Sequence, residues 1–393
     1  MPEARANTNA VNRKMLTRYD RIVNKLLPRG TRVRSVYELG LTGVRTIVNE
    51  GWRSFLRKLR LWLRLKRATA RRQTTTNTVT TALLEIKSIG DLKRTTCNYR
   101  ERIENEKRNY SQLERTEAGC EKACDTLNFT LDAMHRRVEN AVGHNVWNYI
   151  INYVNARNFT RILSLGTGTC GLEINLAKQF RKPYELVCLD FNKELLERGA
   201  KMATTKGITM TYFAQDINSL KLNQTYDLIF AHAVLHHLIE LEHIFNQIKS
   251  HLTKEGQFVV YDVTSRNGLL LWPEQRKIID GLLKALPPKF SYSHFLKKNM
   301  DTFVEIDHSD ASFECIRSQD VLPLLQKYFT TIHLVKGFAF LRRFTDQEFG
   351  PNFDLSSNLD VKVLNFLLEL DQWYVDNSIL EPESIFWVGR GQD

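Results

Sequence analysis

A chain of 393 residues with 42% hydrophobic and 25% charged residues has the balance of a globular protein and the length of one catalytic domain with appendages. It contains no run of about 18 apolar residues, which excludes a conventional transmembrane helix, and the opening MPEARANTNAVNRK has no apolar signal core, so a cytoplasmic location is expected. The net charge of +12 is uneven: residues 1–72 carry 19 Lys and Arg against 4 Asp and Glu, which makes the basicity a property of an appendage.

In chain order, residues 1–40 show no clear period. From Leu41 to Arg67, Val44, Ile47, Val48, Trp52, Phe55, Leu56, Leu59, Trp62 and Leu63 recur at helical spacing among Arg53, Arg57, Lys58, Arg60, Arg64 and Arg67. Such a basic amphipathic stretch over 44–67 fits an anionic membrane surface, which would place the protein peripherally at the inner membrane face. Nucleic acid is the less favoured partner, because the apolar side is too aromatic for a purely electrostatic arm. Packing on the protein's own domain is the third reading. Residues 73–135 read as a linker and long helices, with RERIENEKRNYSQLERTEAGCEKACDTLNF carrying the mixed charge of an exposed helix. Val142, Val146, Ile150 and Val154 then form a side that can pack on the domain C-terminal to them.

Residues 136–393 change rhythm. Strands are predicted at Ile162–Leu165, Leu186–Leu189, Met210–Ala214, Leu228–Ala231, Gln257–Val263, Thr331–Leu334 and Ser384–Gly389. Helices are predicted at Gly171–Phe180, Lys193–Lys206, Leu235–Ile239 and Glu242–Leu252. Short apolar strands alternating with helices indicate an α/β fold built on a doubly wound, mostly parallel seven-stranded sheet. Two insertions, at about 264–318 and 338–380, are placed to form a lid.

The segment ILSLGTGTCGLEINLAKQF puts Gly166, Gly168 and Gly171 between a strand and a helix, where glycine lets a ligand approach the backbone. The loop lacks the Lys-Ser/Thr pair of a nucleoside-triphosphate site. Asp190 ends the second strand, where a carboxylate can accept from both hydroxyls of a ribose. Asp216, past the third strand, can accept from an adenine amino group. Histidines follow the fourth strand in YDLIFAHAVLHHL. The six cysteines (Cys97, Cys120, Cys124, Cys170, Cys188, Cys315) are too sparse for a disulfide framework, and Leu127 stands where a CxxxCxxC triplet would need its third thiol.

Through LSLGTGTCGLE, LVCLDFN, FAQDI, FAHAVLHHL and HLTKEGQFVVYD, and at the end through FECIRSQDVLPLLQKYF and SIFWVGRG, the sequence resembles class I S-adenosylmethionine-dependent methyltransferases of the small-molecule type. The resemblance implies S-adenosylmethionine as cofactor. Leu165, Gly166, Thr167 and Gly168 would line its methionine end, Asp190 would hold the ribose and Phe191 would flank the adenine. Gln215, Asp216 and Ile217 would edge that ring, and Ala231 and His232 would lie near the sulfonium. Ser164 departs from the family's acid and Cys170 from its third glycine, for which Gly171 is expected to compensate. A looser resemblance of RVRSVYELGLTGVRTIVNEGWRSFLRKL to segments near bacterial glycosyltransferase domains points to glycan assembly.

The expected reaction is methyl transfer to a small-molecule or glycan-type acceptor, at oxygen, with His232 as base and His236 as a further catalytic candidate. His232 and His236 have i,i+4 spacing that a divalent ion could use, but no metal is expected. Tyr292, His294, Asp307, His308, Glu314 and Arg317 are candidate acceptor contacts. The alternatives are an RNA or protein methyltransferase tethered by the basic arm, and a non-catalytic cofactor-binding scaffold in a glycosyltransferase complex.

Overall fold

The structure, a computed structural model, describes residues 86–94, 98–116 and 121–392. The expectations for the basic arm and linker, with Cys97 and Cys120, lie outside these residues, as does the side chain of Cys124. Three helices lead in: α1 (Tyr99–Thr116), α2 (Glu121–Val142) and α3 (Val146–Asn155). The alternating region comes next as β1 (Thr160–Leu165), α4 (Gly171–Ala177), β2 (Tyr184–Asp190), α5 (Lys193–Thr205), β3 (Thr211–Ala214) and β4 (Tyr226–His232). It continues through α6 (Leu241–His251), β5 (Leu252–Val263), α7 (Pro273–Ala285) and a small hairpin of β6 (Tyr292–Ser293) and β7 (Lys298–Asn299). The last elements are α8 (Ser318–Tyr328), β8 (Phe329–Lys336), α9 (Leu341–Thr345), α10 (Asn358–Asp376) and β9 (Ser384–Gly391).

Seven strands form one sheet in the order β3-β2-β1-β4-β5-β9-β8. The first five are mutually parallel; β9 runs antiparallel between β5 and β8. Every predicted strand is present, most of them longer at one or both ends. Because a parallel sheet is covered on both faces, successive residues of one strand feed two cores. Ile162, Cys188, Leu228, Phe230 and Phe386 pack on one face with Val146, Ile150 and Val154 of α3 and Phe340 and Phe344 of the α9 region. Leu163, Leu165, Val187, Ile229 and Trp387 pack on the other, with Ile244, Phe245 and Ile248 of α6 and Val321 and Leu325 of α8. The order reverses between β1 and β4, so the loops at their carboxyl ends part and leave a crevice there.

Candidate active site

The crevice is built from turns that the sequence dictates. After β1 the chain passes through Gly166 at φ 67° and Gly168 at φ 51°. A Cβ on Gly166 would stand 2.3 Å from Val234 Cγ2, so this position requires glycine on both backbone and steric grounds. Cys170 itself takes φ 57°, the left-handed conformation in which glycine is favoured, and caps α4 with it. The expectation that Gly171 would supply this freedom is therefore corrected: Gly171 is the first residue of α4 and its φ is not positive. Across the crevice, the Asp190 carboxylate accepts the N–H of Gly168 at 2.8 Å and that of Asn192 at 2.7 Å. Burial raises the Asp190 pKa, while these backbone donors pull it back.

Ser164, where the family has an acid, donates to Oε1 of Glu173 on α4 at 2.6 Å. Glu173 is buried, its second oxygen has no hydrogen-bond partner, and burial pushes its pKa up to about 7.

A cavity of about 130 Å³ lies over the turns, bordered by Gly166, Gly168, Asp190, Phe191, Asp216 and Ile217 among the residues the sequence singled out. The other predicted cofactor residues do not border it. Leu165 and Ala231 are buried in the core beneath, Thr167 turns its hydroxyl to the Cys170 thiol at 3.5 Å, and Gln215 directs its amide to the Ser219 carbonyl at 3.5 Å.

Unforeseen in the sequence, α1 covers this cavity. Tyr99, Ile103, Glu106 and Tyr110 fall on one helical face and all four line it. The Tyr99 hydroxyl donates to the Asp216 carboxylate, and burial followed by that carboxylate keeps the phenol protonated. Charged residues of α1 read as solvent-facing are instead buried against the segment before α8. Arg102 donates to the carbonyls of Ser309 and Ser312, and Glu106 accepts the N–H of Phe313 at 2.7 Å. Of residues 264–318 and 338–380, where a lid was expected, only Phe313 borders the cavity. The signal that could have found the cover is the spacing of Tyr99, Ile103, Glu106 and Tyr110 within a segment dominated by charge.

Past β4 the chain turns through Ala233 at φ 52°, and the N–H groups of Val234 and Leu235 donate to Oδ2 of Asp262 on β5 at 2.9 and 2.8 Å. That carboxylate thereby fixes the short turn carrying the two adjacent histidines. His237, not His232 or His236, reaches the cavity. Its Nε2 lies 3.1 Å from the Tyr110 hydroxyl. Burial opposes a charge on His237, but Glu106 and Glu314 outweigh it and the net pKa shift is upward. His236 is buried beside it, with Nδ1 2.5 Å from Oδ1 of Asp262. His232 does not border the cavity: its ring stacks on Tyr261 at 5.4 Å and meets Trp147 edge-on at 4.9 Å. Burial lowers its pKa.

The proposed acceptor contacts separate. Glu314 approaches both His236 and His237, at 3.6 and 3.7 Å. Arg317 is a structural residue, 2% exposed, paired with Glu242 and Asp320 and donating to the Ile239 carbonyl. Asp307 caps the turn before Ser309, and His294 bonds Asn352 at 2.9 Å in the small hairpin. Neither these nor Tyr292 and His308 border the cavity. Cys170 and Cys188 are buried core residues. No described helix is long and apolar enough to cross a membrane.

Residues 157–328 match a family described as a methyltransferase domain. Over 122 residues the chain is 25% identical to malonyl-[acyl-carrier protein] O-methyltransferases of Bacillus anthracis and Bacillus cereus. That alignment covers 31% of this chain and 44% of theirs, so the chain spans less than half the length of these curated relatives. Among solved structures it is similar to an S-adenosylmethionine-dependent methyltransferase from Clostridium acetobutylicum, at 23% identity over 30% of this chain and 50% of that one, with a TM-score of 0.27. It is also similar to TehB from Haemophilus influenzae, at 12% identity over 62% of each chain and a TM-score of 0.36. These structural likenesses are slight, and the assignment rests on the family match together with the glycine turn and the sheet. Residues 157–328, somewhat under half of the chain, thus match a methyltransferase domain, and the glycine turn and mostly parallel sheet are those that the resemblance to class I S-adenosylmethionine-dependent methyltransferases implies.

Proposed function

We propose that the chain transfers a methyl group from S-adenosylmethionine to an oxygen atom of a small-molecule or glycan-type acceptor. The observation that carries this reading is the placement of Asp190 opposite the N–H of Gly168 at the mouth of the glycine turn. The cofactor supplies an electrophilic methyl group on a sulfonium. The chain's own residues would bind and orient it: Asp190 for the ribose hydroxyls, Asp216 and Ile217 for the adenine edge, and the backbone of Gly166 to Gly168 for the methionine end. Bonding of an acceptor oxygen to the methyl carbon would break the carbon–sulfur bond with its electron pair left on sulfur, and the hydroxyl proton would pass to water. Such a displacement asks mainly for alignment, and His237, Tyr110 and Phe313 border the cavity where an acceptor would be aligned. Oxygen as the accepting atom is supported by the matched relatives, which are O-methyltransferases. The basic stretch 44–67 is proposed to hold the protein on an anionic membrane surface.

Calorimetry with S-adenosylmethionine and S-adenosylhomocysteine tests the reading first. Binding of both, followed by S-adenosylhomocysteine formation with a panel of hydroxyl and carboxyl acceptors, is expected. Failure to bind either would overturn it. Binding without product from any acceptor would favour the scaffold reading. Flotation with anionic vesicles, with and without residues 1–72, tests the membrane part.

A further inference from the structure

We propose that His236, His237 and Glu314 hold one divalent ion of the first transition row beside the cofactor cavity, which His237 borders. One ligand atom from each of the three lies within 4.8 Å of the others. Glu314 reaches toward both imidazoles at once: Oε1 is 3.6 Å from Nε2 of His236 and Oε2 is 3.7 Å from Nε2 of His237. These separations are too long for hydrogen bonds. They are close to the roughly 3.4 Å expected between two ligands on one tetrahedral ion with bonds of about 2.1 Å.

The surroundings are those of a metal ligand rather than of a free imidazole. Asp262 engages Nδ1 of His236 at 2.5 Å, while its other oxygen accepts the two backbone N–H groups of the preceding turn. A carboxylate on the far nitrogen fixes the ring and its tautomer and leaves Nε2 free to donate its lone pair. Around His237, Glu106 Oε1 stands 3.6 Å from Nδ1, and the Tyr110 hydroxyl would exchange its contact with Nε2 for a place beside the ion.

Charge points the same way. Three acids, Glu106, Asp262 and Glu314, face two imidazoles, with Glu106 and Asp262 only 4% and 3% exposed. Among the described residues no lysine or arginine forms an ion pair with any of the three. Acids gathered out of water need a compensating cation. Two imidazoles and one carboxylate suit a borderline divalent ion and leave coordination positions open. His237 borders the cofactor cavity, so an open position would face an acceptor there. The acceptor class this favours is one with two oxygens able to chelate, such as a hydroxy acid or a vicinal diol, and that part rests on the methyl-transfer reading.

The test is a Co²⁺ titration of the full-length, chelator-treated protein, followed by its visible ligand-field bands, with S-adenosylhomocysteine calorimetry on the same samples. One Co²⁺ per chain, displaced by Zn²⁺, is expected. Glu314→Gln, at a partly exposed position, should weaken Co²⁺ binding about tenfold or more while the variant stays folded by circular dichroism. His237→Ala provides a second variant with the same expectation. Absence of bands in the intact protein, or bands unchanged in both folded variants, would overturn the site. Co²⁺ binding without S-adenosylhomocysteine binding would sink the methyl-donor reading and leave the metal site standing.

Discussion

Gly168 and Asp190, 22 positions apart in the chain, meet across the crevice: the N–H of Gly168 donates to Oδ2 of Asp190 at 2.8 Å. The loop after β1 and the end of β2 are thereby locked together by the same carboxylate that is proposed to receive the ribose. Hydrogen bonds to a charged group contribute about 1.5–3 kcal/mol each. Asp190→Ala should therefore weaken S-adenosylhomocysteine binding by about 10²-fold in calorimetry, and an unchanged dissociation constant would place the cofactor elsewhere.

Gly166 is constrained twice, by its φ of 67° and by Val234. Gly166→Ala should destabilise the protein by about 1–3 kcal/mol through overpacking and left-handed strain. Adding Val234→Ala removes the 2.3 Å contact but leaves its own Cβ 2.7 Å from the new methyl and the left-handed strain in place, so the double variant should recover only part of the loss. Urea unfolding of the four proteins in the cycle checks this; full recovery would mean that the backbone conformation is unimportant.

Glu173 makes stability depend on pH. Its pKa is pushed up to about 7 by burial, against an ordinary value of 4.5. Between those values the folded chain keeps a proton that the unfolded chain has released, so stability falls as pH rises through this window and levels off above it. The loss amounts to about 3 kcal/mol at most. Glu173→Gln keeps a partner for Ser164 and removes the titration. The stability difference between variant and parent should grow in the variant's favour from about pH 4.5 to about pH 7, as read by urea midpoints across that range. A difference independent of pH would refute the assignment.

The cavity under α1 holds about 130 Å³, whereas sites for ligands of this size are about 300 Å³ or more. Outward movement of the helix is therefore expected when an adenosyl ligand binds. Tyr99→Phe removes the hydroxyl that ties α1 to Asp216, and amide hydrogen exchange over residues 99–110 should be faster in this variant than in the parent. Exchange unaltered by the substitution would show that the tyrosine does not hold the helix down.

The sheet was legible because each strand is a short apolar run, and β1, β2 and β4 bury nearly every residue. β5 begins at Leu252, before the predicted Gln257, because Leu252 already pairs with Tyr226, ahead of the register shift between Tyr226 and Leu228. The cofactor turn was legible through its glycines and Asp190. The cover was not: α1 has a composition that normally marks a solvated helix, and only long-range contacts to residues 309–313 bury Arg102 and Glu106. Nor can sequence decide which of two adjacent histidines faces a ligand. His236 and His237 sit on a single short turn whose direction is set by Asp262, 26 residues later.

Strand β9 lies between β5 and β8, and β8 has no other partner in the sheet. Its eight residues, with Trp387 fully shielded from solvent, reach the ribosome's exit more than forty positions behind the strand they must escort. Until Ser384–Gly391 emerges, the growing chain presents two unzipped borders with an empty slot between them. Assembly therefore cannot simply follow synthesis, and shortening the protein ahead of Ser384 would strip out an interior stave of the sheet rather than trim its rim.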